Sequence, residues 1–278
     1  PSNVTNIGDS AFGACISLTK VIIPNSITSL PDNLFYDCSA LIDVNIPSGV
    51  TSIGNSIFYA CSSLNQINLP SSLTSIGSSA FGNCSSLSKF DLPSGITTIE
   101  ETTFFNCDSL TELNIPNGVT SIKKGAFAGC SSISEITIPE GITSLPEIAF
   151  YNCSSLTKIN LPDSLTTMGT TAFGNCFSLN SFDIPDTITS IPNQAFYQCT
   201  NLTQVSIPNS ITSIGDNAFY NCNGLKDLSV NISTPLDIDP NIFEFVSINN
   251  VNLKVPAGSI SAYNSVAVWK DFGNIISL

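Results

Sequence analysis

The sequence contains no histidine and no arginine, and only 10% of its residues are charged. The first absence removes the Ser-His-Asp triad, the Cys-His dyad, the imidazole metal ligand and the imidazole pH switch. The second leaves eight lysines against 21 acidic residues, a net charge of −13. Little is left to neutralise a phosphate backbone, so nucleic acid is not an expected partner. No apolar run approaches the roughly 18 residues of a membrane-spanning helix, so membrane insertion by this segment is not expected either. None of the ten cysteines forms a Cys-x-x-Cys pair. With no His to complete a site, a structural zinc centre lacks its ligand set. What the chain does have is apolar mass, 42% of 278 residues, ample for a core.

That mass is periodic. The cysteines fall at Cys15, Cys38, Cys61, Cys84, Cys107, Cys130, Cys153, Cys176, Cys199 and Cys222, always 23 residues apart. Prolines from Pro1 and Pro24 through Pro208 keep the same interval, and a phenylalanine stands three residues before every cysteine, from Phe12 to Phe219. The unit reads C-x-x-L-x-x-I-x-I-P-x-x-V/I-T-S-I-x-x-x-A-F-x-x. In the copy from Cys153 to Asn175, Ile159-Asn160-Leu161 alternates as a short strand does, and Pro162 suits its end. Leu165 to Met168 reads as a second extended piece before a turn signal. The A-F-x-x-C segment fits a single helical turn with Phe and Cys on one face. A unit this small cannot bury its apolar side alone, but stacked copies can, which is the logic of a solenoid. Successive coils then form a parallel sheet with about 4.8 Å between strands, and the crossovers should wind right-handed.

The L-x-x-I-x-I-P and A-F-x-x-C blocks resemble the BspA-like leucine-rich repeats of bacterial surface proteins and some parasitic protists. The resemblance covers roughly residues 1–230. It implies a leucine-rich-repeat solenoid of the α/β horseshoe class, β-rich, with a parallel sheet on one face and short helical turns and extended pieces elsewhere. The chain lacks the Asn that follows the strand in better-known leucine-rich repeats, so their ligand-binding details do not carry over.

Two regions follow from the pattern: an array of about ten repeats over 1–230, its first coil truncated, and a degenerate end over 231–278. The chain opens on the repeating proline, with no initiator Met or signal peptide, which reads as a piece of a longer protein. Residues 73–90 echo residues 165–182, a block duplication at a distance of four units. Past Cys222 the pattern decays: Asn231 replaces the proline, and Phe245 stands where the next cysteine is due. A last strand is expected over Val251–Val255. A capping helix should follow, N-capped by Ser259 and carrying Ile260, Tyr263, Val266, Trp269 and Phe272. The segment from Val255 to Ile275 also resembles C-terminal ends of surface proteins from Bacteroidetes-type bacteria.

Cysteines one strand apart on parallel coils do not meet the geometry of a disulfide, so the column is expected to be buried free thiols packed beside the Phe column. Asp237-x-Asp239-x-Asn241 has the start of a calcium loop, but Ile242 and Ile248 fill the slots needing Gly and Glu, so an ordinary loop is expected. Ser-x-x-Lys at Ser17–Lys20, Ser86–Lys89 and Ser155–Lys158 is a repeat column rather than an active-site motif. Sequons such as Asn3-Val4-Thr5 and Asn201-Leu202-Thr203 matter only where the source glycosylates proteins.

What remains for function is regular surface. The outward strand column includes Asn45, Asn68, Asp91, Asn114, Thr137, Asn160, Asp183 and Ser206, and solenoids bind partners on such faces. Uncharged side chains are equally expected there for stability, because like charges stacked at strand spacing repel. Five tyrosines, Tyr36, Tyr59, Tyr151, Tyr197 and Tyr220, share the column after the Phe. They suit protein or glycan contact, or else lie flat and shield the Phe layer while wetting their hydroxyls. The expectation is a non-enzymatic module without a cofactor or metal, on the cell surface or extracellular. Its partner would be an extracellular protein or glycoprotein, in keeping with the adhesion the resemblance implies. The alternative is a structural spacer.

Overall fold

The computed structural model describes residues 3–278, so Pro1, the first of the proline column, lies outside the described residues. The chain winds as a β-solenoid of stacked parallel coils. All but one of the coils set down a strand of three or four residues, such as Lys20–Ile22 or Glu135–Thr137, and the repeats from Ser29–Leu30 to Ser213–Ile214 each add a two-residue strand. The coil at Gln66-Ile67-Asn68 has no strand at the first position. Every pairing is parallel, and through the repeats the register advances by one repeat, as in Glu135 with Lys158 and Ser144 with Thr167.

The A-F-x-x-C segment is not a helical turn. It consists of consecutive β-turns, in which the Ala80 N–H donates to the Gly77 carbonyl and the Cys84 N–H to that of Phe81. The third residue of each turn is left-handed, Ser79 at φ 54° and Asn83 at φ 57°, the requirement of a type II turn. A helix would keep its hydrogen bonds within the segment. Here the N–H groups of Ser79, Phe81 and Asn83 donate instead to Glu101, Thr103 and Phe105 of the next coil, at 2.8, 2.9 and 2.6 Å. The same ladder runs from coil to coil from Ser10 to Asn221. The only α-helix among the described residues is Ile260–Tyr263, outside the repeats.

Inside this ladder the Phe rings form one stack. Neighbouring centroids lie 5.3 to 6.0 Å apart from Phe12 through Phe219, and all but Phe12 are fully buried. Phe90 wedges edge-on between Phe81 and Phe104, and Phe182 packs the same way between Phe173 and Phe196, so the duplicated blocks share a packing device. All ten cysteines are free; Cys15 is exposed and the rest are buried. The column does more than fill space. Each thiol from Cys38 to Cys222 donates to the carbonyl of a Phe 26 residues earlier, at 3.0 to 3.2 Å. Burial pushes these thiols up, Cys61, Cys153 and Cys199 to about 12.

The coils are not evenly paired: the longer strands before Ser181 come in doublets, and from Ser181–Asp183 onward they join in one five-stranded sheet. Glu112–Asn114 pairs back to Lys89–Asp91, and Glu135–Thr137 pairs forward to Lys158–Asn160, but these two pairs do not join each other. Lys158–Asn160 and Ser181–Asp183 are likewise unpaired, and the two-residue strands break at the same junctions. Proline accounts for two of these breaks. Gly54, Gly77, Lys123 and Gly215 donate an N–H to the preceding coil at 2.8 to 3.0 Å. Pro146 and Pro192 hold that slot in the coils that open, and proline has no N–H to give. Glycine in the following coil then lets backbones close up: a Cβ on Gly169 would sit 2.4 Å from the Pro146 carbonyl carbon. Like charge adds to the first opening, where Glu112 stands in the same column as Glu135. A third junction, between Ser75–Ile76 and Thr98–Ile99, opens without a proline.

Beyond Cys222 the coil carries one extra residue. Phe243 stacks on Phe219 at 5.5 Å, and the Val246 N–H donates to the Phe243 carbonyl as each Cys N–H does to its own Phe. Val246 therefore takes the thiol's place, not Phe245. Phe245 occupies the left-handed slot at φ 62°, is 64% exposed and meets Tyr220 edge-on. The strand Asn252–Val255 is followed by another, Asn274–Ser277, which extends the sheet. No single helix joins Ser259 to Phe272: a 3-10 turn, the four-residue helix and a second 3-10 turn, Trp269–Asp271, follow one another there. Tyr263 donates its hydroxyl to the Ile232 carbonyl at 2.9 Å, and Trp269 its indole N–H to that of Leu236 at 2.7 Å. Trp269 and Phe272 close over Phe243 edge-on. Asp239 caps the turn Pro240–Phe243 by accepting from the Asn241 N–H.

Candidate interaction surface

The longer strands present their first and third residues to solvent, in the burial order exposed-buried-exposed for Asp43–Asn45, Lys89–Asp91, Glu135–Thr137 and Ser181–Asp183. Proline at the strand's end and Leu or Ile before it fix that facing, since a one-residue slip would turn the apolar set outward. Asn45, Asn68, Asp91, Asn114, Thr137 and Asp183 are exposed, while Asn160 and Ser206 are half-buried.

Many of these groups are occupied by one another. Asn114 donates to Asp91; Asn160 donates to Glu135 at 3.2 Å and to Thr137 at 2.9 Å. Lys158 pairs with Glu135 at 2.7 Å, and together with the Asn160 amide it holds that carboxyl below its usual range. Lys89 pairs with Glu112 at 3.4 Å and Lys20 with Asp43 at 2.6 Å, again within a doublet.

At the open junctions the face is cleft. One cleft of about 390 Å³ lies between Thr111–Asn117 and Glu135–Pro139. A second, about 520 Å³, lies between Thr157–Asp163 and Ser181–Pro185. The two use equivalent positions: Asn114 and Thr137 border the first, Asn160 and Asp183 the second. Leu113 and Ile159, whose neighbours Ile136 and Phe182 are buried, are half-exposed there. The sequence reading missed these clefts, although the signal was present as a proline at 146 and 192 facing the preceding coil.

The tyrosines form no continuous platform. Tyr36 stacks on Tyr59 at 5.3 Å and Tyr197 on Tyr220 at 4.7 Å. Tyr59 and Tyr151 lie over Gly82 and Gly174, where a Cβ would come within 2.8 and 3.0 Å of the ring. Each of these rings thus has a face covered by a neighbouring coil, while Tyr36 stays exposed. The Tyr151 hydroxyl accepts from Asn175 at 3.0 Å. Among the described residues, no group of three or more acidic or thiol side chains is placed to hold a metal, and no helix is long and apolar enough to cross a membrane.

This geometry has relatives. A leucine-rich cell surface protein of Faecalibacterium prausnitzii A2-165 is 27% identical, with a TM-score of 0.52 over 95% of this chain and 86% of that one. A leucine-rich repeat protein of Bacteroides ovatus is 25% identical over 90% and 86%, with a TM-score of 0.47. The pneumococcal vaccine antigen PcpA shares the fold at 19% identity, with a TM-score of 0.55 over 94% and 79%. No curated protein matches the chain. The BspA type leucine-rich repeat region matches in six copies, over residues 1–109, 79–202 and 166–265. The chain belongs to the BspA-type leucine-rich repeat family.

Proposed function

We propose that this chain is a non-enzymatic protein-binding module, displayed on a cell surface or secreted, that engages an extracellular protein or glycoprotein through its strand face. The observation that carries this reading is the pair of equivalent clefts on that face, bordered by Asn114, Thr137, Asn160 and Asp183 and floored by half-exposed Leu113 and Ile159. Solenoids use such regular faces for contact, and one similar structure is a cell surface protein. Residues 1–230 act as the repeat array and 231–278 as its end cap. The wind is right-handed on the crossover rule for parallel strands, and the horseshoe class is what the leucine-rich-repeat family implies.

A second reading, a structural spacer, is favoured by the way Asn114, Asn160, Lys158 and Glu135 spend their polar groups on one another. Binding to an array of extracellular-matrix proteins, serum glycoproteins and glycans separates the two. Saturable binding that is lost on substituting Thr137 and Asp183, and kept on substituting Tyr151 and Tyr197, supports the strand face. Loss confined to the tyrosine variants moves the site to that column, and silence from a folded protein supports the spacer.

A further inference from the structure

We infer that this chain docks on a second copy of itself head to tail, the strand Asn274–Ser277 at the tail of one copy pairing in parallel with Lys20–Ile22 at the head of the next. The inference goes beyond the binding-module reading, because it uses the two ends of the solenoid rather than the clefts between its coils.

Both strands are edges. Among the described residues, Asn274–Ser277 pairs only with Asn252–Val255, and Lys20–Ile22 only with Asp43–Asn45. Each leaves one row of backbone N–H and C=O groups without a strand partner, which is a template for a further strand. Such edges are commonly blunted by charge, proline or a bulge. Lys20 is the one charged side chain on either strand, and it turns back to Asp43 at 2.6 Å.

The strand register defines a column on the outer face, running from Ile22 beside Asn45 to Ser229, Lys254 and Ile276 in succession. Every coil between holds a polar residue there, from Asn45 and Asn68 through Ser206 to Lys254. Only the two end places are isoleucine, Ile22 at 71% exposure and Ile276 at 43%. A single exposed isoleucine needs no explanation. Two of them, at the first and last places of a column otherwise polar, fit a contact between ends.

Carried across copies, the same register sets Asn274 beside Lys20, Ile275 beside Val21 and Ile276 beside Ile22. Ile275 and Val21 are both half-buried, and no like charges meet. Leu278, 53% exposed, comes to Pro24, which borders an opening of about 430 Å³ lined by Val21, Phe12 and Ile7. The ends are also complementary steps. At the head, the turns of residues 10–14 stack on those of 32–36 with no described strand ahead of them. At the tail, Asn274–Ser277 lies beyond the last turns, where Trp269 and Phe272 close over Phe243. Head on tail fills both steps, whereas two like ends set projection against projection. Such a heterologous contact adds copies in one direction, as an open row.

The test is sedimentation velocity of the full chain from about 10 µM to about 1 mM, a range suited to a small interface. Mean size should rise with concentration. Ile22→Asn and Ile276→Asn should each lose roughly tenfold or more in affinity, with the thermal midpoint unchanged. Ile42→Asn, exposed beside the second strand, should associate like the parent. Mixing separates the arrangements. Ile22→Asn keeps its tail and Ile276→Asn its head, so the two together should form a 1:1 dimer that grows no further. A parent that stays monomeric at about 1 mM overturns the inference, and so does a mixture that stays monomeric. Undiminished self-association of Ile22→Asn alone also overturns it, since tails then pair with tails; the same result for Ile276→Asn means that heads pair with heads.

Discussion

Raising the pH from 7 to 10 in the presence of a phosphine reductant should destabilise this protein from within. An unfolded thiol titrates near 8.5, whereas burial raises Cys61, Cys153 and Cys199 to about 12. Between those values the folded chain holds protons that the unfolded chain has released, so stability falls as pH rises through that window; below about 8.5 both states are protonated and the curve is flat. At pH 10 each such thiol costs about 2 kcal/mol, about 6 kcal/mol for the three. The figure depends only on the folded value exceeding 10. Six further buried thiols, from Cys38 to Cys222, shift the same way. For a chain of this length, about 6 kcal/mol corresponds to a drop of about 10 °C in the melting midpoint. Circular dichroism melts at half-unit steps of pH, with thiols counted before and after each scan, measure it directly. A midpoint constant to pH 10 with the thiols still reduced would refute the buried, hydrogen-bonded ladder.

Thiol titration in denaturant without reductant should find about ten free thiols, and in native buffer Cys15 should react well before the other nine; two or fewer in denaturant would mean disulfides. Phe127→Ala, between Phe104 and Phe150 in the ring stack, should cost about 3–5 kcal/mol by denaturant unfolding. Gly169→Ala should destabilise by about 1–3 kcal/mol because its Cβ would meet the Pro146–Glu147 backbone. Gly49→Ala, with open space around its Cβ, is the neutral control. Acidification should remove the contribution of Glu135, whose carboxyl is held low first by the hydrogen bond from Lys158. That stability is present above the unfolded carboxyl's pKa and is lost as pH falls through the lower folded one, an effect that Lys158→Met should reduce, leaving the part held by the Asn160 amide.

Coil length, the inward columns of Leu, Ile, Phe and Cys, and the outward face of Asn45 through Ser206 were all legible in the sequence. Identical units stacked in register place equal positions above one another, so a column of letters becomes a column of side chains. Local conformation was less accessible. Phe and Cys three apart satisfy a helical turn and a pair of type II turns equally well, and only the demand of the next coil's carbonyls for N–H partners selects the turns. Asn before five of the cysteines, as at Asn83 and Asn152, carried that signal as a preference for the left-handed region. The end of the array misled for another reason. One inserted residue moves Val246 into the thiol's slot and leaves Phe245 exposed, and no spacing argument counts an insertion until Phe243 is seen on Phe219.

The sequence by itself determined a solenoid of 23-residue coils with a buried Phe and thiol spine. Tertiary structure alone decided which coils close on each other, because that depends on pairs of residues brought together by stacking. Where Pro146 or Pro192 meets the carbonyl row before it, the missing N–H leaves the junction open; where glycine follows proline, as at Gly169, the backbones close. The clefts that carry the candidate function are products of those pairings.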